Sequence, residues 1–129
     1  MRAEELKGHL DAMLLAALEG GPRHGYAVIE ALRQSTGGQL DLPTGTIYPA
    51  LRRLEQAGLI AGTWSVVGGR RRREYRLTPA GIRALSGRRA AWRDFSATVT
   101  AALESAVLVN ATLENATLED TACPSPNPA

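Results

Sequence analysis

The stretch that most constrains this chain is residues 42–60, LPTGTIYPALRRLEQAGLI. Turned at about 100° per residue, Ile47, Leu51 and Leu54 fall on one stripe with Ala50 beside them, the spacing of a helix laid on a core. The opposite face carries Gly45, Pro49, Arg52 and Gln56, flanked by Tyr48 and Arg53. Small or flat residues at one end of that face and long donors at the other suit close approach to a polar, anionic surface. A DNA major groove is such a surface and admits a helix. An ordinary amphipathic helix with a solvated face is the plainer alternative. The helix start is open between Thr44 and Thr46 as N-cap. Pro49 lacks an N–H and costs least if Thr46 caps; a helix that starts at Pro43 forgoes one hydrogen bond at Pro49. Gly58 is expected as a left-handed cap at the other end.

Upstream, residues 4–19 read as a first helix, with Leu6, Leu10, Met13, Leu14, Ala17 and Leu18 at helical spacing and Gly20-Gly21-Pro22 as its stop. Residues 24–35 make a second helix, closed by Thr36-Gly37-Gly38. A short link then leads into the helix above. Two helices joined by a short Gly-containing turn, the second with one apolar and one cationic face, follow helix-turn-helix logic.

Downstream, residues 59–67 and 70–77 are strand-like runs around a Gly68-Gly69 turn signal. Trp64 and Val66 share one face of the first strand; Tyr75, Leu77 and Arg73 share one face of the second. Four consecutive arginines, Arg70, Arg71, Arg72 and Arg73, form the most concentrated charge in the chain. Such a strand cannot be buried on both faces. It projects into water, as an aggregation-blocking edge, or onto phosphate. Thr78-Pro79 then caps and opens a helix expected to run from Pro79 to about Asn110. Ile82, Leu85, Trp92, Phe95, Val99, Leu103 and Val107 are among its apolar positions, near coiled-coil spacing from Trp92 onward. A lone helix cannot cover that seam, and a second copy does so most cheaply. The five-residue repeat NATLE at 110–119 fits neither helix nor heptad, and residues 123–129, CPSPNPA, read as disordered.

Charge separates the two ends. Residues 1–94 hold all fifteen Lys and Arg against nine acids, a net of +6, whereas residues 95–129 hold four acids and no base. A basic body suggests a polyanionic partner. The single cysteine, Cys123, excludes an internal disulfide and a multi-cysteine metal site, and two histidines are too few for a metal cluster. No cofactor is expected. Nothing resembles an apolar leader or a membrane span of about 18 residues, so a cytoplasmic protein without membrane contact is expected. No catalytic triad, carboxylate pair or phosphate loop is legible, which argues against an enzyme. A winged helix that binds only protein is the more serious rival, and Arg52, Arg53 and the arginine run argue against it.

Helix, helix, recognition helix, basic hairpin and long helix make a mainly α fold with a β-hairpin, a winged helix-turn-helix followed by a dimerisation helix. Its expected divisions are residues 1–78, 79–110 and a disordered tail at 111–129. The residues go further. His24-Gly25-Tyr26, then Gly45-Thr46-Ile47-Tyr48-Pro49-x-Leu51-x-Arg53-Leu54, then Gly58-Leu59-Ile60, then Gly69-Arg70-Arg71 through Tyr75-Arg76-Leu77-Thr78-x-x-Gly81 resemble the PadR family of bacterial transcriptional regulators over about residues 8–104. The resemblance implies a cytoplasmic homodimeric repressor on an inverted-repeat operator, often released by a small molecule, in the branch with one dimerisation helix. The tail after Glu104 departs from the family. The expected DNA contacts are Thr44, Thr46, Tyr48, Arg52, Arg53 and Gln56 with the four arginines. Leu85, Trp92, Phe95, Val99 and Leu103 are the expected dimer seam, helped by the first helix. Trp92 falls where multidrug-binding members carry a tryptophan, so Trp92 and Phe95 are the expected lining for a small aromatic or hydrophobic effector.

Overall fold

In chain order the elements are α1 (Leu10–Ala17), β1 (Arg23–His24), α2 (Gly25–Ser35), α3 (Thr44–Gln56), β2 (Ile60–Val67), β3 (Arg70–Leu77) and α4 (Pro79–Asp120). The structure is a computed structural model in which residues 8–120 are described, with side chains from 8 to 105. The predicted stripe of α3 is the floor of the core: Ile47, Ala50, Leu51 and Leu54 are buried, together with Leu14, Leu15 and Leu18 from α1 and its exit and Val28 and Leu32 of α2. Each large aliphatic withdrawn from water in this way contributes about 1.5–3 kcal/mol.

The helix ends explain the departures from expectation. α1 closes at Ala17, earlier than predicted, because Leu18 N–H and Glu19 N–H reach back only three residues, to Leu15 O and Ala16 O at 3.1 Å each. That tightens the last turn into 3₁₀ geometry. The predicted residues 4–7 lie outside the described residues. In α2, His24 is the N-cap rather than a helical residue: its backbone is extended and its Nδ1 accepts from Ala27 N–H at 3.3 Å. Arg23 and His24 instead form a two-residue strand against β3, Arg23 opposite Tyr75 and His24 opposite Glu74. Two residues carry no periodicity that a sequence pattern could expose.

Neither Thr44 nor Thr46 caps α3. Pro43 takes the N-cap position with no side-chain cap, and its carbonyl accepts from Thr46 N–H at 3.0 Å and Ile47 N–H at 3.1 Å. Pro49 therefore sits six residues into the helix, where its ring nitrogen offers the Gly45 carbonyl no donor. The other end is as expected. Gly58 has φ +78°, Leu59 N–H reaches Leu54 O at 3.0 Å and Gly58 N–H reaches Glu55 O at 3.0 Å, the paired bonds of a Schellman ending.

β2 and β3 pair antiparallel from Ile60 opposite Leu77 to Val67 opposite Arg70, and β1 joins on the far edge, so the sheet order is β1-β3-β2. Gly68 and Gly69 both have positive φ, as a two-residue hairpin turn of primed type requires. At the base of the hairpin, Thr78 binds three backbone groups. Its N–H donates to Leu59 O at 3.1 Å, its hydroxyl donates to Gly58 O at 2.6 Å, and its Oγ1 accepts from Gly81 N–H at 3.0 Å. The last of these caps α4, with Pro79 in the first turn as predicted.

α4 is longer than predicted and runs to Asp120, through both copies of the five-residue repeat. No Gly or Pro interrupts residues 88–123, and Ala, Leu and Glu recur there, so backbone propensity favours helix whatever the apolar period. The tail expected to begin at residue 111 thus starts within that helix; residues 121–129 lie outside the described residues. The chain divides into a compact unit up to Arg89 and a second from Ala90 onward. Leu85, expected in a dimer seam, is 3% exposed and belongs to the core of the first unit. It sits on α4's second turn, close to the Thr78 clasp that holds that helix start in place.

Gly81 marks how closely α4 approaches the hairpin base: a Cβ there would lie 1.9 Å from the Leu59 carbonyl oxygen. Backbone, not a flexible side chain, would have to move. Gly81→Ala is expected to destabilise the fold by about 1–3 kcal/mol or more, read as a lowered urea midpoint. An unchanged midpoint would show that the helix start yields freely.

Candidate nucleic-acid interface

α3 owes its outward face to its register. With Ile47, Leu51 and Leu54 pinned inward, Thr44, Gly45, Thr46, Pro49, Arg52, Arg53 and Gln56 all lie exposed. Among the described residues, no hydrogen bond or ion pair engages the side chains of Arg52 or Gln56, at the centre of that face. The flanks differ. On one side Arg53 Nη2 donates to Asp11 Oδ1 of α1 at 2.6 Å. On the other side Glu55 forms an ion pair with Arg73 of β3 and also accepts from Gly62 N–H at 3.3 Å. The recognition helix is thus fastened to the hairpin through one carboxylate that serves two elements.

Tyr48 is exposed at the edge of that face. Its ring stands over Gly25: a Cβ at Gly25 would come within 2.5 Å of the Tyr48 Cζ and hydroxyl. Partial burial raises the Tyr48 phenol above its usual range, Tyr26 adds to this and Arg72 opposes it. At neutral pH the phenol keeps its proton and remains a donor.

The four arginines divide by strand alternation. Arg71 and Arg73 sit on the face of Trp64, with guanidinium carbons 4.5 Å and 5.3 Å from the indole centroid, within cation–π range. Arg73 opposite Trp64 in the register accounts for this. Arg72 lies on the other face, its Nη1 3.1 Å from His24 Nε2. Among the described residues Arg70 has no ion-pair or hydrogen-bond partner. Trp64 is 58% exposed and Val66 and Val67 are exposed beside it, so the hairpin presents an apolar ridge framed by cations.

His24, Asp11, Glu55 and Trp64 were not singled out by sequence as parts of this surface. Their partners lie 18 to 48 positions away along the chain for the three polar residues, beyond any local pattern. On α4, the expected seam residues Trp92, Phe95, Val99 and Leu103 are exposed, and the Trp92 and Phe95 rings lie 6.0 Å apart, tilted by 39°. Among the described residues no helix is long and apolar enough to cross a membrane.

This geometry has known relatives. The model of the transcriptional regulator PadR-like family matches residues 14–87. Transcriptional regulator Rv3488 of Mycobacterium tuberculosis is 42% identical over 77 residues, an alignment that covers 60% of this chain and 59% of that protein. The chain thus spans about three fifths of that relative's length. A PadR family transcriptional regulator from Eggerthella lenta superposes with a TM-score of 0.69 at 34% identity, covering 78% of this chain and 87% of that one. A transcriptional regulator from Clostridium thermocellum gives 0.70 at 26% identity, covering 76% and 96%. With the family's match running from α1 through the winged helix into α4, the chain belongs to the PadR-like family of transcriptional regulators.

Proposed function

We propose that the chain represses transcription by binding an inverted-repeat operator as a homodimer, with α3 in the major groove and the β2–β3 wing on adjacent backbone or minor groove. One observation carries the reading: the unengaged centre of α3, Arg52 and Gln56, lies on a helix tied to a strand of four arginines. Thr44, Thr46 and Arg53 flank that centre, and Tyr48 offers a phenol at its edge. A protein-only winged helix has no use for so many uncompensated cations around its recognition helix.

The second copy is proposed on α4. Trp92, Phe95, Val99 and Leu103 recur at spacings of three and four and lie open to solvent, an arrangement that a matching helix covers. In such a dimer Trp92 and Phe95 are the proposed lining of an effector site, since paired aromatic rings accept a flat ligand by stacking. The contact of the two rings within one chain also suits a purely structural seam.

Capture of genomic fragments, followed by sequencing, is expected to return an inverted repeat, and a reporter behind it should be repressed. Recovery of unrelated fragments would favour the protein-binding rival. Arg52→Ala is expected to weaken operator binding by about 1–3 kcal/mol if it reads a base, and to weaken all sequences alike if it touches only phosphate. Arg73 is committed to Glu55, so the wing variant replaces Arg70, Arg71 and Arg72 by alanine. The slope of log affinity against log salt should flatten by about 0.9 per lost phosphate contact; an unchanged slope would leave the run merely solvated.

Val99→Asp with Leu103→Asp places charges in the proposed seam, where burial is prohibitive. Light scattering should then report a monomer, and a persistent dimer mass would put the seam elsewhere. In a Trp64→Phe background, planar cationic dyes should quench Trp92 and release DNA together. No quenching in a dimer that still binds its operator would make Trp92 structural.

A further inference from the structure

His24 stands between a helix cap and a cation. Its Nδ1 accepts from Ala27 N–H at 3.3 Å, so that nitrogen carries the lone pair and the neutral ring bears its proton on Nε2. Nε2 lies 3.1 Å from Arg72 Nη1, and a guanidinium offers donors only. Two donors therefore stand side by side with no acceptor between them. The opposite tautomer lets Nε2 accept from Arg72 but turns Nδ1–H against Ala27 N–H and removes the cap of α2. Either way one donor of the pair is left to solvent, since Arg72 is exposed. Glu74 is the register partner of His24 on β3, yet among the described residues it forms no ion pair with Arg72.

An oxygen that accepts twice and carries negative charge would complement both donors better than water does. We propose that His24 and Arg72 are a two-donor clamp for one DNA backbone phosphate, an assignment that rests on the DNA-binding reading above. Position favours DNA over a free anion. β1, the start of α2 and β3 meet at this point, Tyr48 of the recognition helix stands over Gly25 next to His24, and Arg70 lies two positions along the same strand. A phosphate held here lies beside α3, and it fixes the angle at which the helix enters the groove without reading sequence. His24 is then a positioning residue that acts through the backbone, while Arg52 and Gln56 face the bases.

His24→Asn is the informative variant, because the Asn side chain also caps helices but lacks a nitrogen at the Nε2 position. Binding of the full chain to a generic duplex of about 30 base pairs, followed by fluorescence anisotropy across a salt series, gives the readout. His24→Asn is expected to weaken binding about tenfold, the scale of one hydrogen bond to a charged group, at nearly constant salt slope. Arg72→Ala should weaken it comparably and lower the slope by about 0.9. The double variant should lose little beyond Arg72→Ala alone, since the clamp needs both donors. His24→Ser, a second capping replacement, gives the same test if Asn disturbs the thermal midpoint. Fully additive losses, or an unaffected His24→Asn, would overturn the clamp while leaving the DNA-binding reading intact. No salt-dependent binding by the wild-type chain would overturn both. A shift of the His24 ring resonances on titration with inorganic phosphate, with duplex affinity unchanged in the variants, would assign the pair to a free anion and overturn the DNA assignment.

Discussion

The turn at Gly58 and Leu59 holds the rest of this structure in register. Three elements meet on its two carbonyls. α3 ends there, β2 begins there, and Thr78 at the head of α4 bonds both oxygens, one through its backbone N–H and one through its hydroxyl. Gly81 completes the grip, because only a residue without Cβ fits against the Leu59 oxygen. Each of these bonds contributes about 0.5–1.5 kcal/mol, and the buried Leu85 of α4 adds its packing to them. The recognition helix is therefore held by hydrogen bonds at its C-terminal end, while its N-terminal end, capped by Pro43 without a side-chain bond, is held by the packing of Leu40, Leu42 and Ile47.

The charges around α3 fall into two kinds. Glu55 with Arg73 is partly buried and also holds the Gly62 N–H, so it is built into the joint between helix and wing. Arg53 with Asp11 is more open to water, with the Arg53 side chain 58% exposed. Exposed pairs of this kind contribute about 0–1 kcal/mol, which a phosphate can replace at little cost. Arg53 is thus available to a polyanion although it is paired in the free protein, whereas Arg73 is not. The proposed wing contacts fall to Arg70, Arg71 and Arg72. Arg71 can keep its stack on Trp64 while it donates outward, because the ring engages the face of the guanidinium and leaves its edge free.

What could be read from the sequence was whatever repeats locally. The inward stripe of α3, its Gly58 ending, the Gly68-Gly69 turn and the Thr78-Pro79 start all follow from periodicity or from residue-specific backbone demands, and all stand in the structure. The strand β1 did not, since two residues have no period. The cap of α3 did not, because proline ahead of Thr44 fixes a φ compatible with N-cap geometry and takes that position without any side-chain acceptor. The continuation of α4 to Asp120 was hidden by reliance on apolar spacing where propensity decides. The cross-element pairs of Asp11, His24 and Glu55 require the fold itself, since sequence separation says nothing about which acids and bases will meet.

Leu85 shows where the two roles of α4 divide. Leu85, Trp92 and Val99 are one heptad apart and fall on nearly one stripe, with a drift of about 20° per heptad in a straight helix. Leu85 is taken up by the core of its own unit, whereas Trp92 and Val99, further along the same stripe, are exposed. The apolar stripe therefore serves two different packing demands in sequence, first intramolecular and then, in the proposed dimer, intermolecular. The first demand is met by a clasp of three hydrogen bonds at Thr78 and the second by side-chain shape alone. A seam made only of apolar contacts is the more adaptable of the two. Any ligand-linked change in the proposed dimer would then act at residues 92–103, while the Thr78 clasp holds α4 to the end of the recognition helix.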